Sequence, residues 1–84
     1  MLVISHDVFN ERSGTVIALA ITSQPQRVGL PLAMQLESVR LPKPSWVRIS
    51  QIRVLSTQRL GKALGRISAE EMEHVIEGLF ELVA

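Results

Sequence analysis

The chain has 84 residues, 46% of them hydrophobic, with no cysteine and a formal net charge of +1. That length allows one small domain, residues 1–84, which buries only roughly 60–65% of the surface its unfolded form exposes. The missing cysteines exclude disulfides, iron–sulfur clusters and thiolate zinc sites, and the longest apolar run, Thr15 to Ile21, is too short for a bilayer-spanning helix.

In chain order, the first segment is Leu2-Val3-Ile4, which reads as a strand with no polar lead-in. Chain starts are usually frayed and polar unless paired, so the expectation is a fold entered in mid-course. His6 to Gly14 is polar, contains Asn10 and the Ser13-Gly14 pair, and predicts a turn or one loose helical turn. Thr15 to Ile21 (TVIALAI) is a continuous, β-branched-rich run, the pattern of a central strand buried on both faces. Ser23 to Pro31 holds two prolines and a glycine and predicts a loop. Ala33 to Val39 alternates weakly, as a half-exposed strand does.

After Pro42 and Pro44, Ser45 to Leu55 (SWVRISQIRVL) reads as strand again. Trp46 and Arg48 share a side, as do Ile52 and Val54, and the phase changes near Ser50-Gln51, which predicts a bulge or kink there. Thr57 to Lys62 predicts a short helical turn and Ala63 to Ile67 a last short strand. Ser68 and Glu71 form a capping box, S-x-x-E, expected to satisfy two backbone donors at a helix start. Met72, Val75, Ile76, Leu79, Phe80 and Val83 then recur at helical spacing as one apolar stripe opposite Glu70, Glu73, Glu77 and Glu81. Several short strands and one late helix make an α+β domain, most simply a small, partly open barrel.

The charge is divided along the chain. All nine Lys and Arg fall within residues 1–67 beside three acids, a net of +6, whereas residues 68–84 carry five Glu and no base. This allows a basic face for a polyanion; ordinary surface solubility is the alternative. No basic segment precedes the first apolar run, which argues against a secretory signal, so the expected setting is soluble and cytoplasmic, with no membrane partner. The apolar excess in so small a chain suggests that some of it lies between subunits.

Few side chains offer chemistry. His74 falls among helix glutamates and reads as a solvated residue; His6 begins a turn and has no evident acid or metal partner. The glutamates read as the wet face of a capped helix. Thr22-Ser23-Gln24 is more suggestive, because a buried strand exits there and a loop carrying Arg27 follows. Hydroxyls, amides and a basic loop can donate to phosphate oxygens and to the charge that develops in phosphoryl transfer. A plain hydroxyl-capped turn at Thr22 and Ser23 is an equally good reading.

Taken in order, "LVISHDVFN", "TVIALAITSQ", "SWVRISQIRVLSTQRLGKALGRIS" and "AEEMEHVIEGLFELV" resemble the MazF/PemK family of type II toxin–antitoxin toxins over essentially the whole chain. The resemblance implies a mainly-β, SH3-like small barrel of the CcdB/MazF/PemK kind with a C-terminal α-helix, assembled as a homodimer. It implies a sequence-specific endoribonuclease that cuts single-stranded mRNA without a metal or cofactor. In that reaction the RNA 2′-hydroxyl attacks the adjacent phosphorus and leaves a 2′,3′-cyclic phosphate and a 5′-hydroxyl. Thr22 matches the family's catalytic threonine, Ser23, Gln24 and Arg27 fall at the RNA groove, and Gln51 and Arg53 match its "QIR" strand. A cognate antitoxin would compete for the groove with an acidic tail, and operator DNA would be met only through the antitoxin complex. The family's N-terminal hairpin, which ends in an Arg-Pro pair and carries a catalytic arginine, aligns before Met1. The chain is therefore expected to be N-terminally truncated, and either an endoribonuclease or an inactive homologue that binds antitoxin or RNA without cleavage.

Overall fold

A computed structural model describes residues 1–61 and 65–83 of the chain. In chain order the elements are β1 (Leu2–Val3), α1 (Asp7–Ser13), β2 (Thr15–Thr22), β3 (Ala33–Leu36), β4 (Ser45–Ser56), a 3₁₀ turn (Thr57–Arg59) and α2 (Ala69–Val83). The four strands form one antiparallel sheet in the order β1-β2-β4-β3, which curls as a half-barrel around α2. The expected α+β architecture is therefore present, with β2 and β4 at its centre.

The β-branched run Thr15–Ile21 becomes β2, flanked on both sides by neighbours, and Val16, Ala18 and Leu19 are buried. Leu19, Leu36, Val47 and Ile49 on the face turned to α2 make the core with Val75 of the helix, joined by half-buried Ile21 and Met34 of the sheet and Leu79 of α2. Each such aliphatic side chain taken from water contributes roughly 1.5–3 kcal/mol. The helix comes close because of Gly78. A Cβ there would lie 3.0 Å from Ile49 Cδ1 and 3.2 Å from the Pro31 carbonyl oxygen.

The phase change in β4 is a register shift. Thr15 to Leu19 pair with Ser56 to Ile52, but Ala20 pairs with Arg48, so Ile49, Ser50 and Gln51 form an excess on β4 opposite the Leu19/Ala20 junction. The bulge expected near Ser50-Gln51 is there. It divides β4 into a part covered by α2, with Ser45, Val47 and Ile49 buried, and a part where Ile52 and Val54 are exposed.

Two expected elements are corrected. The segment after β1 is a seven-residue helix, α1, longer than the turn or one loose helical turn expected. Its sequence lacks an apolar stripe, and what defines it is its ends: Gly14 closes it in the left-handed conformation (φ 69°) and donates to the Asn10 carbonyl at 3.0 Å. Ser5 holds its start, bonding Asn10 Oδ1 and accepting from the Ile17 N–H at 2.9 Å. The last strand is absent from Gly65 to Ile67, which are irregular, and its Ala63 and Leu64, like Lys62 of the expected helical turn, lie outside the described residues.

The capping box is only half formed. Ser68 Oγ accepts from the Glu71 N–H at 3.1 Å, as an N-cap should. The Glu71 carboxylate instead crosses to the β3–β4 connection and accepts from the Glu37 N–H (2.8 Å), the Ser38 N–H (3.0 Å) and the Ser38 hydroxyl. The Ser68 N–H is satisfied by Ser38 Oγ at 2.7 Å. Burial alone would raise the Glu71 carboxyl; the Ser38 and Glu37 hydrogen bonds, with nearby His74, outweigh it and hold the pKa below the ordinary carboxylate value. One carboxylate thus ties the helix start to the sheet edge.

The apolar stripe of α2 is also only partly used. Val75 is buried and Met72 and Leu79 half-buried, whereas Ile76, Phe80 and Val83 remain exposed. Among the described residues no helix is long and apolar enough to cross a membrane.

Candidate nucleic-acid interface

Thr22 is the last residue of β2 and lies directly opposite Trp46 of β4, which in turn lies opposite Gln35 of β3. Directly paired residues project from the same face of a sheet. Thr22, Trp46 and Gln35 therefore make one row, and the next row on that face is Ala20, Arg48 and Ala33. The intervening row, Ile21, Val47 and Met34, turns to the core. The half-barrel thus has an apolar side under α2, while its other face carries the buried Val16, Ala18 and Ala33 together with the polar side chains Arg48, Gln35 and Thr22.

Thr22 is half-buried, and its Oγ1 accepts from the Gln24 N–H at 3.1 Å. The hydroxyl-capped turn is thus present. It uses one lone pair of the oxygen and leaves the hydroxyl proton available to an external acceptor. Ser23 and Gln24 are exposed at the strand exit, and the Gln24 carbonyl accepts from Gln26 Nε2 at 3.0 Å. Arg27 is exposed and borders a cavity of about 410 Å³ whose walls include Gln35, Trp46, Val28 and Leu30. Polar turn residues and a cationic loop are therefore gathered at one end of the sheet.

Gln51 and Arg53 sit apart from this group. Arg53 pairs with Ala18, four residues back along β2 from Thr22, or about 13 Å at strand rise. Gln51 lies in the bulge; with its amide oriented to satisfy both partners, its oxygen accepts from Arg48 Nη2 (2.9 Å) and Nη1 (3.1 Å). Gln51 therefore holds Arg48 in place. Arg48 is the closer cation, since it pairs with Ala20, only two residues from Thr22. His6 is exposed at the start of α1 and caps nothing with its side chain; His74 is exposed on α2.

Trp46, Arg48 and Gln35 are the residues that sequence reasoning did not assign. The signal was legible in "SWVRIS", where Trp46 and Arg48 alternate with the buried Val47 and Ile49. What the alternation lacked was the identity of the facing residues, which only the register supplies.

Comparison with known proteins gives three results. The family model described as "PemK-like, MazF-like toxin of type II toxin-antitoxin system" matches residues 1–83. Endoribonuclease EndoA of Bacillus subtilis (strain 168) is 35% identical over 81 residues, which cover 94% of this chain and 70% of that protein. Among solved structures, Mycobacterium tuberculosis toxin MazF-mt6 superposes with a TM-score of 0.81 at 20% identity, covering 95% of this chain and 80% of that one. An endoribonuclease in complex with its cognate antitoxin, from a mycobacterial species, gives 0.79 at 22% identity, covering 95% and 75%.

Proposed function

The chain belongs to the PemK-like, MazF-like family of type II toxin–antitoxin toxins, and from that premise we propose that it is an endoribonuclease that cuts single-stranded mRNA at a defined sequence. The observation that carries the proposal is the row Thr22–Trp46–Gln35 with Arg48 behind it: a hydroxyl, an aromatic face, an amide and a guanidinium on the side of the sheet opposite the core.

In this reading the scissile phosphate lies over the exit of β2. The Thr22 oxygen is held by the Gln24 N–H, so its proton can be donated to a non-bridging phosphate oxygen as the RNA 2′-hydroxyl attacks phosphorus. The 2′-hydroxyl gives its proton to water as the O2′–P bond forms, the P–O5′ bond breaks, and the 5′ oxygen takes a proton from water, giving a 2′,3′-cyclic phosphate and a 5′-hydroxyl. Ser23 and Gln24 offer further donors at the turn, and Arg27 and Arg48 lower the cost of gathering charge at the phosphate. Arg53, further along the groove, contacts the backbone of a flanking nucleotide, and Gln51 acts through Arg48. None of these steps calls for a cofactor.

The same face is the expected target of a cognate antitoxin, whose acidic flexible tail would compete with RNA for these cations; operator DNA would be reached through that complex. Exposed Ile52 and Val54 on β4, with Ile76 and Phe80 on α2, support assembly as a homodimer.

The test is incubation of the purified protein with single-stranded RNA in EDTA, beside Thr22→Ala. Cleavage to 2′,3′-cyclic phosphate ends, reduced about 10²–10³-fold by Thr22→Ala, is expected. RNA left intact, with antitoxin peptide still bound, would replace this reading with that of an inactive binding homologue.

A further inference from the structure

We propose that Trp46 is the base-stacking platform of this site: it holds one unstacked nucleobase of the single-stranded substrate in the cavity between β3 and the Gln26–Leu30 loop, with Gln35 at the base edge. The inference rests on the endoribonuclease reading and adds to it the residue that captures a base.

Three observations place it there. Trp46 is a large aromatic on the face opposite the core, where packing under α2 does not require it; its neighbours along β4, Val47 and Ser45, are the buried ones. It stands one strand spacing, about 4.8 Å, from Thr22 on one side and from Gln35 on the other, so a nucleotide whose phosphate lies at Thr22 has its base over the indole. Beyond the indole is the cavity of about 410 Å³, walled by Val28 and Leu30 and bordered by Arg27, a volume within the range of small-ligand sites.

The chemistry is that by which proteins read single strands. An unstacked base lies on an aromatic face, and its edge is read by hydrogen bonds. Gln35 is exposed and offers both an amide donor and an acceptor, so it can discriminate among bases where stacking alone cannot. Arg27, on the loop, carries the charge that meets the adjacent phosphate. A duplex, whose bases are already stacked, cannot use this site.

Trp46 is the only tryptophan of the chain, so the protein carries its own reporter. The probe is a random-sequence single-stranded oligonucleotide with 2′-O-methyl riboses, which binds but cannot be cut, against a duplex of the same length. The expected result is quenching of tryptophan emission by the single strand and not by the duplex. Fluorescence anisotropy of labelled RNA should then show about 5- to 150-fold weaker binding by Trp46→Ala, with most of it restored in Trp46→Phe. Gln35→Ala should change which sequences are cut more than how fast. Binding with unaltered emission, or equal affinity in Trp46→Ala and the native protein, overturns the stacking role while leaving the nuclease reading intact. If the native protein neither binds nor cuts single-stranded RNA, and Thr22→Ala behaves identically, both readings fall together.

Discussion

The two halves of β4 obey the same alternation and reach opposite outcomes. From Ser45 to Ile49 every second residue is buried beneath α2, while Trp46 and Arg48 face the other way. From Ile52 to Val54 the apolar side chains are exposed, although β2 pairs with them throughout. Hydrogen bonding alone therefore does not make a core. Burial needs a second layer, and α2 supplies one only on the near side of the bulge. The covered half can hold a rigid polar row on its outer face because its inner face is locked; the uncovered half retains apolar surface for a partner.

The contrast can be broken most strongly at Ile49. Ile49→Ala removes a fully buried side chain beneath Gly78 and should cost about 2–5 kcal/mol, measured by urea unfolding. Next is the close approach of α2. Gly78→Val would push into Ile49 and the Pro31 carbonyl and should cost about 1–3 kcal/mol, with a fall in melting temperature. An unchanged melting temperature would mean that α2 does not press on this part of the sheet. Ser68→Ala, which removes the cap, should cost about 1 kcal/mol. Across the bulge, Val54→Ala should stay within about 0.5 kcal/mol of the native protein when measured as a monomer. A larger loss that depends on protein concentration would show that this half is covered by a second subunit.

The tether between helix and sheet sharpens the same comparison through pH. The folded-state pKa of Glu71 lies below its unfolded value, so the carboxylate contributes stability above about pH 4.3 that is lost as pH falls through the folded value. Thermal unfolding between pH 3 and 5 should therefore decline more steeply for the native protein than for Glu71→Gln. For the outer face, the salt dependence of RNA binding is the measure. Removing Arg53 should reduce the slope of log K against log[salt] by about 0.7, as one lost phosphate contact does.

Much of this architecture was legible in the chain. The run TVIALAI could only be a central strand, "SWVRISQIRVL" displayed its own break in phase, and Ser68 announced the helix with an N-cap that the structure retains. Thr22 stood out because a buried strand ended in hydroxyls beside a basic loop. The failures have a common cause. The α1 helix is defined by the Gly14 cap and by Ser5 rather than by an apolar stripe, and the Glu71 carboxylate leaves its capping box for three donors 33 and 34 residues away in sequence. The resemblance matched Gln51 and Arg53 to the family's "QIR" strand; in the fold Gln51 turns to Arg48 and Arg53 pairs with Ala18.

Composition and periodicity by themselves determined the fold class, the two central strands, the terminal helix and the place of the bulge, because those follow from local spacing and from which residues resist water. Only the tertiary structure decided that Thr22, Trp46 and Gln35 form one row, that Arg48 is the cation behind it, and that half of the α2 stripe stays uncovered. The physical reason is register. A shift of three residues at Leu19/Ala20 chooses which side chains of β4 meet which of β2, and no periodicity within either strand records that choice.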